Sequence, residues 1–229
     1  MSSSCLFRVS VFVMAVAPAL LGQQKVPFAG GIPVAPKGLA GKPLPKLPME
    51  FDTAEGQRIR VSAVTTALQF PFGMTFLPDG TMLVTDRQAK LHAIRNGKLD
   101  PTPVTGGPVG YGTGESGMPG AVHGYMDVVL HPQFAQNQFV YISYTKKIDE
   151  MKMVAAVSRS KWDGKGLTGT QDVYVSDGVG PTRLAFDRTG HLFVTASPNR
   201  GQDPQKLDSD GGKVLRLIRR VEPTIVCRW

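Results

Sequence analysis

The chain has 229 residues, with 26 Lys and Arg against 18 Asp and Glu, a formal charge of +8. Its 41% hydrophobic and 19% charged residues match an ordinary globular protein and exclude wholesale disorder. Gly (26) and Pro (18) favour turns and extended segments over long helices, and no apolar run reaches the roughly 18–20 residues of an internal membrane-spanning helix.

Residues 1–22 read as a secretory leader. Arg8 supplies the positive region, and residues 9–21 are apolar apart from Ser10 and Pro18. Ala15, Ala17, Ala19 and Gly22 offer small residues for cleavage. A buried N-terminal helix is the competing reading; Pro18 and the short apolar length oppose it. Export to the periplasm or the exterior is therefore expected. Cys5 leaves with the leader and Cys227 sits near the last residue, so no disulfide framework and no zinc-ligand spacing is present.

Residues 23–57 read as a Pro/Gly-rich linker, in which Pro27, Pro33, Pro36, Pro43, Pro45 and Pro48 alternate with Gly30, Gly31, Gly38 and Gly41. Proline fixes φ and removes a donor, which favours coil or polyproline II. The basic residues Lys25, Lys37, Lys42 and Lys46 suit a solubilising spacer better than a contact with anionic envelope polymers.

From residue 58 to 218 one pattern repeats: a short apolar strand, a Pro/Asp/Gly turn, then a second apolar strand. It occurs at residues 73–87, at 126–134 continuing through 137–145, and at 182–195. Pro78 presets φ in its turn, while Gly80 and Gly190 permit positive φ. Phe76, Leu130 and Phe186 are equivalent, at separations of 54 and 56 residues. A period near 50 residues of four short strands is propeller-like.

Outer strands are expected at residues 90–95 and 103–105 for the first blade, 153–158 and 172–176 for the second, and 213–218 for the third. Residues 135–137 form at most one helical turn. The fold class is therefore all-β, a partial propeller of about two and a half blades, followed by an atypical tail at 219–229. Because propellers close with 4–8 blades, a truncated or frame-shifted product is expected. A small sandwich closed on itself is the alternative architecture.

These residues resemble the glucose/sorbosone dehydrogenase family, the soluble aldose sugar dehydrogenases. The matching strings are residues 71–87, from Pro71-Phe72-Gly73 to Asp86-Arg87; 127–135 with Asn137 and 140–144; Arg183-Leu184-Ala185-Phe186-Asp187 with 190–195; and Gln202-Asp203 followed by 212–217. The resemblance implies an exported six-bladed propeller holding pyrroloquinoline quinone (PQQ) on one face, with a sugar oxidised by hydride transfer to the quinone. A small-molecule sugar and an electron acceptor would be its partners.

In such a blade the innermost strand starts at one face, the top, turns at the bottom, and returns. Pro71-Phe72, Val122-His123 and Val179-Gly180 then share the top rim with Asp86-Arg87, Lys146-Lys147 and Pro198-Asn199-Arg200. The resemblance places the family's base His at Val179, its orienting Asp at Pro198 and a PQQ-contacting Gln at Val122. Neither Val nor Pro takes a proton, and general-base catalysis needs a titratable group within reach. The implied function is a PQQ-dependent sugar dehydrogenase-like oxidoreductase of weak or absent turnover. The alternative is a non-catalytic exported propeller fragment that binds carbohydrate or protein.

Among individual residues, His123 is the one histidine expected on the top rim, and its ordinary pKa suits a replacement base; a loop-packing role is the plainer reading. His131, His92 and His191 read as structural. Arg87, Lys146 and Arg200 are the candidates to pair with quinone carboxylates, weighed against solvated surface charge. Calcium is the second cofactor considered, through Asp86, Asp127 and Asp187; no compact calcium loop is present, and turn or strand-end roles outweigh ligation, so no metal site is assigned. Residues 112–117 fit GxGxxG formally, but no strand leads in and no helix leads out, so they read as a loop bordering the top face. No basic–aromatic platform for nucleic acid is present.

Overall fold

A computed structural model describes residues 46–112, 123–150, 152–176, 178, 183–198 and 203–217, with the backbone of three further short strands at 28–29, 32–33 and 226–227. The leader, most of the linker, Val122, Val179, Arg200 and residues 113–117 of the glycine motif lie outside the described residues. The chain divides into two compact units, Met1–Val61 and Ser62–Trp229.

The first unit holds two hairpins. Strand β1 (Phe28–Ala29) pairs with β2 (Ile32–Pro33), and β3 (Met49–Asp52) with β4 (Arg58–Val61). Residues 49–57, inside the expected linker, thus belong to a hairpin. Its turn is built locally: the Thr53 N–H donates to Gln57 O at 2.8 Å, the Gly56 N–H to Thr53 O at 2.9 Å, and Gly56 takes φ +74°.

The second unit is a succession of three four-stranded antiparallel meanders, a partial β-propeller. The first sheet runs β5 (Pro71–Phe76), β6 (Met82–Asp86), β7 (Lys90–Arg95) and β8 (Lys98–Leu99). The second runs β9 (Tyr125–Leu130), β10 (Phe139–Lys147), β11 (Met153–Trp162) and β12 (Leu167–Val175), with the one-turn helix α1 (Phe134–Asn137) between β9 and β10. The third runs β13 (Leu184–Phe186), β14 (Leu192–Ala196), β15 (Lys213–Leu217) and β16 (Val226–Cys227).

Three details depart from the sequence reading. The fourth strand of the first sheet is β8, not residues 103–105; Pro101 and Pro103 interrupt the edge, and pairing resumes only as a single bridge between Val104 and Leu91. The outer strands of the second sheet are longer than expected, because Asp163 closes their hairpin: its Oδ1 accepts the N–H groups of Lys165 (2.9 Å) and Gly166 (2.7 Å). The third sheet gains its fourth strand, β16, inside the tail, where Cys227 pairs with Arg216 and Val226 with Leu217. That raises the blade count from two and a half to three short-edged sheets.

Two apolar cores hold the sheets face to face. Leu83, Leu91 and Ala93 of the first sheet pack with Val128, Val140, Ile142, Tyr144 and Ala156 of the second. Tyr141, Val157 and Tyr174 of the second pack with Leu184, Leu192, Val194, Leu215 and Leu217 of the third. Successive side chains of a strand point to opposite faces. Val140, Ile142 and Tyr144 therefore serve one core and Tyr141 the other, so the second sheet is buried on both sides.

One device recurs in all three sheets. The backbone N–H of Gly73 donates to Thr85 Oγ1 (2.8 Å), that of Asp127 to Ser143 Oγ (2.9 Å) and that of Arg183 to Thr195 Oγ1 (2.8 Å). The register shifts between Pro71 and Met74 and between Ile142 and Tyr144 take the ladder carbonyl away at those points in the first two sheets. A hydroxyl from the second strand replaces it, so a buried donor is not left unmet. Each device sits at the rim end of its sheet.

Candidate functional site

The rim is defined by where the inner strands begin and end. Strand β5 opens at Pro71 opposite Asp86, and β10 closes at Lys147 opposite Met153. Arg87 follows β6 directly, and its N–H donates to Phe70 O at 3.0 Å. Gly124, at φ +101°, lies against the Arg87 backbone so closely that a Cβ there would stand 2.1 Å from Arg87 O. This contact places His123 beside Arg87.

His123 is half-buried, and its Nδ1 is closed to solvent. Burial, and secondarily the Arg87 charge, holds its imidazole below the ordinary histidine range. The lowered pKa favours the neutral ring at neutral pH. Tyr111 meets His123 edge-on, centroids 5.4 Å apart and planes at 71°. The Lys147 Nζ lies 5.9 Å from the Tyr111 ring centroid. The order along the rim is Arg87, His123, Tyr111, Lys147.

Arg87 and His123 thus stand side by side on the rim. Lys146 points elsewhere: its Nζ donates to Asp172 Oδ2 at 2.6 Å on the outermost strand of its sheet, and Asp172 Oδ1 also accepts the Tyr144 hydroxyl at 2.7 Å. Strand alternation puts Lys147, not Lys146, next to Tyr111. Pro198 is exposed and offers no proton acceptor.

The three aspartates considered for calcium are occupied by backbone and side-chain donors. Asp86 accepts the N–H of Gln88 (2.7 Å) and Phe70 (3.2 Å). Asp187 accepts the N–H of Thr189 (2.8 Å) and His191 (2.9 Å) in its turn. Asp127 accepts the Val128 N–H (3.0 Å) and the Leu184 N–H (2.9 Å), and pairs with Arg183 Nε at 3.2 Å. Among the described residues no group of three or more His, Cys, Asp and Glu could hold a metal ion.

The remaining histidines sit in packing positions. His131 stacks on Tyr141, meets Phe186 edge-on at 5.3 Å and accepts the Gln133 N–H at Nδ1. His92 lies on β7, where burial lowers its pKa. His191 pairs with Asp187 Oδ2 at 2.9 Å.

Tyr111 and Lys147 were not singled out by the sequence. Tyr111 lies in a glycine-rich stretch whose path is set by close packing. A Cβ at Gly107 would meet the Tyr125 hydroxyl at 2.7 Å, and one at Gly110 the Tyr125 ring at 2.9 Å. The Tyr111 N–H then donates to Thr145 O at 2.8 Å, near the end of β10. Only the glycine spacing hinted at this close approach.

The description Glucose / Sorbosone dehydrogenase matches residues 68–224. The aldose sugar dehydrogenase YliI of Escherichia coli is 31% identical over 174 residues, 72% of this chain and 45% of its own. A glucose dehydrogenase crystal structure superposes with a TM-score of 0.60 at 28% identity, covering 68% of this chain and 46% of that one. The PQQ-bound aldose sugar dehydrogenase of Streptomyces coelicolor gives 0.53 at 25% identity, covering 67% and 46%. The chain spans 40–45% of the length of the sequence relatives it matches. With its three meanders and the match across 68–224, the chain belongs to the glucose/sorbosone dehydrogenase family.

Proposed function

We propose that this chain is an exported PQQ-binding member of the sugar dehydrogenases with little turnover of its own. The observation that carries the reading is the pairing of Arg87 with a neutral, half-buried His123 on the rim. The donor set fits a carboxylated quinone: a guanidinium pairs with a carboxylate, and an imidazole accepts a proton from a sugar hydroxyl. Bound PQQ would supply the acceptor for the hydride and its electron pair removed from the sugar carbon. Arg87 would anchor the cofactor. The His123 imidazole would take the hydroxyl proton, which balances the oxidation.

Low turnover follows from the residues at the positions of the family's base and its orienting acid, which are Val179 and Pro198 here. Productive bases are oriented by a partner group. Position 198, where the family's orienting Asp is expected, is an exposed proline. The same observation favours a second reading, a non-catalytic propeller segment that binds sugar.

Calorimetric titration with PQQ and with glucose separates the two. Quinone binding that is lost in Arg87→Gln supports the first reading; sugar binding without quinone binding supports the second. Reconstituted protein is expected to reduce an artificial acceptor only slowly with glucose, and His123→Gln to remove that residue of activity. Family-typical rates would overturn the low-turnover statement.

A further inference from the structure

Lys146 and Lys147 are adjacent in sequence but differ in occupation. Lys146 is held at 2.6 Å by Asp172. Lys147 has a distant acid partner, Glu150 at 3.9 Å, and that carboxylate is almost fully exposed. Such an exposed pair contributes little and is easily exchanged for another anion. Lys147 instead leans over the Tyr111 ring, the ring that abuts His123. Tyr111 is fixed from behind, its backbone hydrogen-bonded to Thr145 and the neighbouring Gly110 packed on Tyr125. The Tyr111 ring thus touches His123, the neighbour of Arg87, and has the Lys147 ammonium near its face.

We propose that Tyr111 and Lys147 form the second half of the rim site, the ring giving a flat apolar contact to a planar polycarboxylate and the Lys147 ammonium pairing with one of its carboxylates. This rests on the reading of the rim as a quinone site and assigns it two binding residues. An aromatic ring offers contact area at little entropic cost, and an ammonium beside it adds charge pairing without a fixed geometry. The two groups act in binding; neither moves a proton.

The test is titration with PQQ, an aromatic tricarboxylate, at two salt concentrations. Lys147→Gln is expected to weaken binding about five- to tenfold and to flatten its salt dependence, because one screened charge pair is gone. Tyr111→Phe keeps the ring and is expected to bind as the parent chain does, whereas Tyr111→Leu weakens binding several-fold. Lys161→Gln, an exposed lysine on β11, serves as the surface-charge control. Thermal melts of each variant exclude unfolding as the cause. If the parent chain binds PQQ and Lys147→Gln behaves like Lys161→Gln, the assignment of Lys147 and Tyr111 falls while the quinone reading stands. If the parent chain binds no PQQ, both fall.

Discussion

Asp127 shows how one side chain can tie two sheets together while lying against a third. Its Oδ1 accepts from Val128 in its own sheet, and its Oδ2 accepts from Leu184 and pairs with Arg183 in the third. Gly73 of the first sheet lies so near that a Cβ there would stand 2.7 Å from Oδ1. The sequence marked Asp127 only as a strand-end carboxylate, since its three partners lie one, 56 and 57 residues away. Asp127→Ala leaves two buried N–H groups and a guanidinium without their acceptor, and should lower unfolding free energy by about 2–4 kcal/mol. Asp127→Asn, which keeps one acceptor oxygen, should lose less. Urea unfolding of both variants checks the order; equal losses would show that the retained acceptor oxygen contributes nothing and that the charge is what matters. His123 adds a pH dependence at the same scale. Its folded-state pKa lies below the ordinary value near 6.5, so the unfolded chain binds a proton that the folded chain refuses. Its contribution to stability is therefore complete above that value and is lost as pH falls from about 6.5 towards the lowered pKa. His92, shifted the same way mainly by burial, acts in the same direction. Arg87→Gln should move the His123 imidazole titration, followed by NMR, to higher pH. A midpoint that stays put would mean burial alone sets it.

At the scale of elements, the hydroxyl at the rim end of each second strand explains why the repeat survives its own irregularities. Thr85 is fully buried; its Oγ1 accepts from the Gly73 N–H and lies 2.7 Å from Met126 O, to which it donates across to the second sheet. Thr85→Val keeps the shape and leaves the Gly73 donor and Met126 acceptor unmet, for a loss of about 1–3 kcal/mol each way of counting a buried polar group. Thr85→Ser keeps the hydroxyl and should lie nearer the parent chain. Denaturant midpoints test this, and a Thr85→Val variant as stable as Thr85→Ser would remove the device from the account. The strands and bottom turns themselves were legible, because Pro78-Asp79-Gly80 and Asp187 to Gly190 carry local turn chemistry. The edge strands were not. Strand β8 has two residues and β16 two, too short for any alternation to register, and their pairing is decided by where Pro101 and Pro103 break the ladder and by the tail's return to β15. The sequence does not distinguish Lys147 from Lys146 for a similar reason: adjacent strand residues point oppositely, and the choice between them depends on where Asp172 of β12 stands.

At the scale of the molecule, the second sheet differs from its neighbours in being apolar on both faces, and that too was written in its strands. The run Val140-Tyr141-Ile142-Ser143-Tyr144 is almost continuously apolar, the pattern of a strand covered on both sides. Ile142, with no exposed surface, should cost about 2–5 kcal/mol when cut to Ala. The first and third sheets each use one face in these cores. On the other face of the first sheet, Met74 and Phe76 pair with Val84 and Met82 and are 59% and 55% exposed. On the corresponding face of the third, Val214 is 54% exposed. Exposed neighbouring apolar side chains bind hydrophobic dyes without having been part of a folded core. The double variant Met74→Lys, Phe76→Glu should therefore reduce dye fluorescence while leaving the thermal midpoint within a degree or two, since side chains already in water give up little burial on replacement. Ile142→Ala supplies the contrast, lowering the midpoint by several degrees. A double variant that melts as early as Ile142→Ala would show that this face is packed in solution, and that the first sheet, like the second, is covered on both sides.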